Sequence, residues 1–132
     1  MEILIKDIKM NIWGREFLLP VEYDCFTGET VTDGQIQRLK EFMAHPEWVE
    51  DAKAQVEAFC KEAVDEDNNN EKKDNVFSYV KPDYVYIRRK RGKRIKEETL
   101  ALMCRYRYDP EHGLAIVFSE GKITIGIQDI IL

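Results

Sequence analysis

Hydrophobic and polar residues alternate with a period of two over residues 2–13 and again over residues 16–26. This period is typical of strands that bury one face, because successive side chains point to opposite sides of a sheet. The junction from Trp13 to Glu16 predicts a turn, so the chain is expected to open with a β-hairpin. Pro20 cannot donate a ladder hydrogen bond, and it therefore predicts an edge strand or a bulge.

The pattern then changes to a helical period. Thr32 and Gln35 have the capping-box spacing and are followed by apolar residues at helical intervals, which predicts a helix over about 33–44. Pro46 suits the first turn of a new helix and predicts a second one over about 46–64. The apolar stripe expected to pack this second helix on the sheet comprises Trp48, Ala52, Val56, Phe59 and Ala63.

The remainder of the chain returns to strand patterns. A polar run over 65–75 predicts a flexible loop, and strands are expected at 84–87, at 99–109 and on either side of a turn at Glu120 and Gly121. The apolar chain end is expected to be tied into the fold as sheet. We therefore predict one α+β domain over residues 1–132. Its mostly antiparallel sheet has about six strands in the order ββ-αα-ββββ, with two helices packed on one face.

Composition excludes several classes of protein. The chain is 44% apolar and 34% charged, which is ordinary for a soluble domain, and its apolar runs fall short of the roughly 18 residues that a membrane span needs. The N-terminus interleaves charges with apolar residues, unlike a secretory signal, so we predict a cytoplasmic protein. Three scattered cysteines and two histidines predict buried thiols, with no disulfide framework, metal site or cofactor.

The segment from residue 41 to residue 74 is acidic, with eleven acids against four lysines, a local net charge of −7. At about 100° per residue, four of these acids share one flank of the second helix, and two others lie on its outer face. Ordinary solvated helix surface is one interpretation, and a docking face for a basic partner is the other. The candidate partner-binding residues are Glu47, Glu50, Asp51, Glu57, Glu62 and Asp65.

A basic run over residues 88–96 carries seven cations in nine positions. Gly92 lies at its centre between two predicted strands, so the run is expected to form a solvated hairpin whose like charges discourage pairing with other strands. Nucleic-acid binding is the alternative, because such a cluster neutralises phosphates, but the net charge of −5 opposes it. The second candidate contact region comprises Arg89, Arg91, Lys93 and Arg94.

No catalytic constellation stands out along the chain. The segment 109–113, DPEHG, is typical of a turn between strands, and neither a Ser-His-Asp spacing nor a phosphate-binding glycine loop occurs. We therefore expect no catalytic residues and no enzyme activity. A small cysteine-dependent hydrolase or transferase is the alternative, and it requires Cys25 or Cys104 to be exposed beside His112.

The segments GLAIVF, a glycine turn and a closing IG-QDIIL, together with WGREFLLPVEYDCF and GETVTDGQIQRLKEF, carry a resemblance. The chain resembles a family of small bacterial domains found among the immunity proteins of polymorphic toxin systems. The resemblance implies stoichiometric neutralisation of a cognate toxin domain and transfers no catalytic residue. A basic nuclease is the toxin class expected for an acidic inhibitor, because complementary charge accelerates association.

Overall fold

The computed structural model describes residues 4–66, 76–93, 97–119 and 121–132, apart from the side chains of residues 62–66 and 78. Within these ranges, eight main elements follow one another: β1 (Asp7–Ile12), β2 (Arg15–Tyr23), α1 (Asp33–Ala44), α2 (Glu47–Glu66), β3 (Val80–Arg88), β4 (Thr99–Tyr106), β5 (Leu114–Ser119) and β6 (Lys122–Gly126). Short 3₁₀ turns lie at Val76–Ser78 and Gln128–Ile130.

The six strands form one sheet whose spatial order is the order of the chain. Four neighbouring pairs are antiparallel, whereas β2 and β3 are parallel because the two helices carry the chain across between them. The predicted α+β class, with six mostly antiparallel strands and two helices, is confirmed. The structure adds the parallel pair and the two 3₁₀ turns to the predicted order.

The β1–β2 hairpin turns at Trp13 and Gly14, both of which have positive φ, 50° and 89°. Two consecutive residues with positive φ form a turn whose twist matches that of antiparallel strands. Positive φ is nevertheless uncommon for a tryptophan. Helix α2 holds the turn in place. The Trp13 indole N–H donates to the Val49 carbonyl at 2.8 Å, and its backbone N–H donates to Glu50 Oε1 at 3.1 Å.

Pro20 does not mark an edge strand, because β2 lies between β1 and β3. The Val21 N–H donates to the Lys6 carbonyl on the β1 side, so the nitrogen of Pro20 faces the opposite edge of β2. The ladder with β3 begins only at Val21. The position at which Pro20 lacks an N–H therefore falls just outside the β2–β3 pairing. For this reason β2 accommodates the proline although it is not an edge strand.

Helix α1 has the predicted bounds and the predicted capping box between Thr32 and Gln35. Helix α2 continues through Glu66, so residues 65 and 66 belong to the helix and not to a loop, and the rest of the predicted 65–75 loop lies outside the described residues. The predicted stripe of α2 is shifted. Trp48 and Phe59 are only half-buried, and the side chain of Ala63 is outside the description. The fully buried residues are Val49, Ala52, Val56 and Cys60.

The main core lies between the helices and one face of the sheet, where Phe42 and Val56 pack with Leu102 and Ile116. The opposite face of the central strands is also closed, with Met103 fully buried. The turn Gln128–Ile130 brings Ile131 onto this second face.

Gly126 makes room for this turn, because a Cβ there would come within 2.9 Å of the Ile130 side chain. The Gln128 amide donates to the Cys104 carbonyl at 3.1 Å and fastens the segment to β4. The apolar chain end is therefore tied into the fold by a 3₁₀ turn and not by the predicted sheet pairing. Ile131 packs against a sheet face, whereas Ile130 and Leu132 are exposed.

Candidate functional site

A cleft of about 610 Å³ opens where the end of α1 and the start of α2 meet the tips of the β3–β4 and β5–β6 hairpins. Aromatic rings that contact one another line it. His45 stacks on Trp48 with centroids 4.6 Å apart and planes within 7°, and Trp48 faces Phe118 at 6.3 Å. Phe118 in turn contacts the buried ring of Phe42 at 5.4 Å. We call these four rings, of His45, Trp48, Phe118 and Phe42, the aromatic floor of the cleft.

Charged residues line the mouth of the cleft. The described acids are Glu41, Asp51, Glu97 and Glu98, and the described cations other than histidine are Arg38 and Lys122. Arg38 pairs with Glu41 at 3.0 Å and donates from Nε to the Glu98 carbonyl at 3.2 Å. With histidine neutral, the described lining therefore carries a net charge of −2.

Glu98 is held against the start of α1. Its Oε1 accepts a hydrogen bond from the Thr32 hydroxyl at 3.0 Å. Gly34 allows this approach, because a Cβ at that position would collide with the Glu98 carboxylate. A carboxylate at a helix N-terminus is also favoured by the helix dipole. This wall of the cleft is thus set by a contact across 66 positions of sequence.

Gln35 connects the same end of α1 to the sheet. Its side chain is fully buried, and Oε1 accepts the Thr32 N–H at 2.9 Å. Its Nε2 donates to the carbonyls of Asp24 and Ile87, at 3.1 and 3.0 Å. One amide therefore joins α1, the end of β2 and the end of β3, and it positions the elements that form the cleft.

Relative to the core, the predicted acidic residues of α2 face a different direction from the one expected. The buried stripe at Val49, Ala52 and Val56 points about opposite to Ala54 and Ala58, which are exposed. The face that carries Glu47 and Asp51 therefore points directly to solvent and is not a flank; we call Glu47, Asp51, Ala54 and Ala58 the acidic face. Glu62 and Asp65 belong to α2, but their side chains lie outside the described residues.

The remaining predicted acids are also exposed, but they are turned to one side of the helix. Glu57 lies about two turns beyond Glu50, which accepts the Trp13 N–H and so anchors the hairpin turn. On the acidic face, Glu47 accepts from His45 Nδ1 at 2.8 Å, and this hydrogen bond lowers the pKa of Glu47. Asp51 belongs to both the acidic face and the cleft, and it joins the two into one surface.

The basic hairpin is less solvated than predicted. Arg91 bonds to Asp24 at 2.9 Å and to Glu29 at 3.1 Å, and its guanidinium lies 3.8 Å from the centroid of the Phe26 ring. Arg89 lies 3.5 Å from Glu29 as well. The Arg91 hydrogen bond holds the pKa of Glu29 below its usual value. Two of the four predicted contact cations therefore fasten the hairpin to the loop after β2.

Of the other two cations, Lys93 is exposed, and Arg94 lies outside the described residues. Asp24 and Glu29 were not predicted as partners of the hairpin. So many cations in one segment nevertheless indicate that acids elsewhere in the chain pair with it. Sequence reasoning also missed most of the cleft. Of the cleft lining, only Asp51 was among the predicted site residues.

Cys104 does not meet the requirement of the enzyme alternative for an exposed thiol beside His112. Cys104 is fully buried, and burial raises the pKa of its thiol. Cys25 is half-buried, with its sulfur 3.9 Å from Gln35 Oε1. His112 lies exposed in the turn before β5, where it bonds to Asp109 at 2.9 Å. Within the described part of the chain, no group of three or more His, Cys, Asp or Glu side chains is placed to hold a metal ion.

A family model described as "Domain of unknown function (DUF6985)" matches residues 4–132. The chain belongs to this family. No curated protein and no solved structure matches it. Across the described ranges, no helix is both long and apolar enough to cross a membrane.

Proposed function

We propose that this domain neutralises a cognate toxin domain by forming a stoichiometric complex with it, and that the toxin is a basic protein such as a nuclease. The observation that carries the proposal is the acidic face, which is exposed on α2 and continues through Asp51 into the aromatic-floored cleft. Complementary charge steers a basic partner toward such a surface and raises the association rate.

The acidic face is also well supported from beneath. Val49, Ala52 and Val56 are fully buried, and the Trp13 indole bonds to the first turn of α2. A surface that is ordered before binding loses little conformational entropy when a partner docks. The exposed alanines 54 and 58 follow Asp51 on the same face, and their small side chains let a partner backbone approach closely. These features favour a binding role for the helix.

We also propose that the domain meets its toxin in the cytoplasm. All three cysteines are free, which agrees with a reducing compartment. Nucleic-acid binding through the hairpin is less well supported, because Arg89 and Arg91 already bond to acids of this chain. Neither residue then presents an uncompensated charge to phosphates.

The test is co-expression with the products of the neighbouring genes, read as survival and as a one-to-one complex by light scattering. The variant Glu47→Lys with Asp51→Lys should lose protection, because the reversed charges repel a basic partner. The matched control, Glu22→Lys with Glu111→Lys, makes the same charge change at exposed acids elsewhere and should protect fully.

A third variant tests the hairpin. Lys90→Ala with Lys93→Ala removes two exposed cations and leaves the Arg91 contacts intact. Protection by the acid-reversed variant together with loss in this one would show that the hairpin, not α2, contacts the toxin. Failure of the unaltered protein to bind or protect would refute the proposed function.

A further inference from the structure

The cleft combines two kinds of surface that few ligands match at once. Its floor is aromatic, and its mouth carries Asp51 from α2 and Glu97 and Glu98 from the β3–β4 hairpin. Of the two described cations of the lining, Arg38 is engaged with Glu41 and with the Glu98 backbone, and Lys122 is exposed on β6, so the acids outnumber the cations by two. A ligand must therefore place positive charge between different elements while packing an apolar or planar part on the rings.

A guanidinium group meets both requirements. It is planar and weakly hydrated, it stacks on aromatic rings, and its five N–H groups reach carboxylates on more than one side. A lysine ammonium is a compact and strongly hydrated point charge, which suits the rings less well. The chain itself uses this combination elsewhere. Arg91 lies over Phe26 while bonding to Asp24 and Glu29.

We propose that the cleft binds an arginine side chain presented by the protein partner, with Asp51 and Glu97 pairing with the guanidinium and the aromatic floor packing against it. The inference rests on the proposed function and names the chemistry that the toxin surface supplies. A protein source is favoured because Asp51 belongs to the cleft and to the acidic face together, so a partner that covers the face reaches the cleft.

The test uses the full chain and a capped arginine, N-acetyl-arginine amide, titrated while two-dimensional NMR follows the Trp48 indole signal. A ligand of this size should bind with a dissociation constant on the order of 1 mM. The capped citrulline of the same shape lacks the charge and should bind more weakly by roughly fivefold or more. No movement of the Trp48 signal up to about 20 mM, or equal binding of citrulline, would overturn the proposal.

Two variants and one control locate the site. Asp51→Asn and Glu97→Gln should each weaken binding of capped arginine by roughly twofold to fivefold, the range of an exposed ion pair. Glu57→Gln removes an exposed acid of α2 that does not line the cleft, and it should leave binding unchanged. Equal weakening by all three would show only a general charge effect and would contradict a defined site.

The source of the guanidinium is tested separately with agmatine, which carries the group without peptide atoms. Agmatine binding more than about tenfold tighter than capped arginine would indicate a site for a free small cation and overturn the protein source. The two proposals also fail in different ways. If capped arginine binds in the cleft but the protein gives no protection against a toxin, only the immunity function is refuted. If the protein protects but does not bind capped arginine, only the cleft inference is refuted.

Discussion

The amide of Gln35 offers the sharpest test of how the cleft is held. It is fully buried and makes three hydrogen bonds of 3.1 Å or less, to the N–H of Thr32 and to the carbonyls of Asp24 and Ile87. Gln35→Met keeps most of the side-chain volume but removes all three bonds. Gln35→Ala removes the bonds and the volume. The pair of variants therefore separates hydrogen bonding from packing.

The magnitude follows from the partners that are left behind. A typical intramolecular hydrogen bond contributes about 1 kcal/mol net to the free energy of unfolding. The cost of removing it is higher when its partner group stays buried without another hydrogen bond. The Ile87 carbonyl keeps a second bond from the Asp24 N–H at 3.0 Å, so its loss costs less. We expect Gln35→Met to lower the free energy of unfolding by about 2.5 kcal/mol, and Gln35→Ala by about 3.5 kcal/mol once the cavity is included.

The assay is urea unfolding followed by tryptophan fluorescence, with the free energy extrapolated to water. Gln37→Ala is the matched control, because Gln37 lies on the exposed side of the same helix and should change stability by less than about 0.5 kcal/mol. A Gln35→Met variant within about 1 kcal/mol of the unaltered protein would refute the argument that this amide holds the three elements together.

Three further predictions follow from burial and charge. Because Phe59 is only half-buried, Phe59→Ala should cost about 1.5 kcal/mol in urea unfolding, and a loss above about 3 kcal/mol would show a deeper position. In the native protein at mildly alkaline pH, a thiol reagent should modify Cys25 well before Cys104, whose pKa burial raises; equal rates would contradict the described core. The hydrogen bond to Asp109 raises the pKa of His112 above 6.5, so the pair stabilises the fold fully below that pH and loses its effect as pH rises through the folded pKa. Proton NMR should show the His112 pKa falling in Asp109→Asn, and an unchanged value would exclude the carboxylate as the cause.

Elements with local signals were predictable from sequence. The capping box of α1 lies within four residues, and the turn at Trp13 and Gly14 joins adjacent strands, so neighbouring residues alone favour these conformations. The facing of α2 was predicted less well. Trp48 and Phe59 have the largest apolar side chains in the predicted stripe of α2, but they are only half-buried. The smaller side chains of Val49 and Cys60 fit the space against the sheet and are buried instead.

The sequence by itself determined the α+β class, the number of strands and the acidic and basic character of two segments, because periodicity and composition act over short stretches of chain. Only the tertiary structure decided that Arg91 meets Asp24 across 67 positions, so that the basic hairpin is partly neutralised. It also decided that Asp51 and Glu97 line the same cleft. Such encounters depend on how distant elements pack, and nothing in the order of neighbouring residues specifies them.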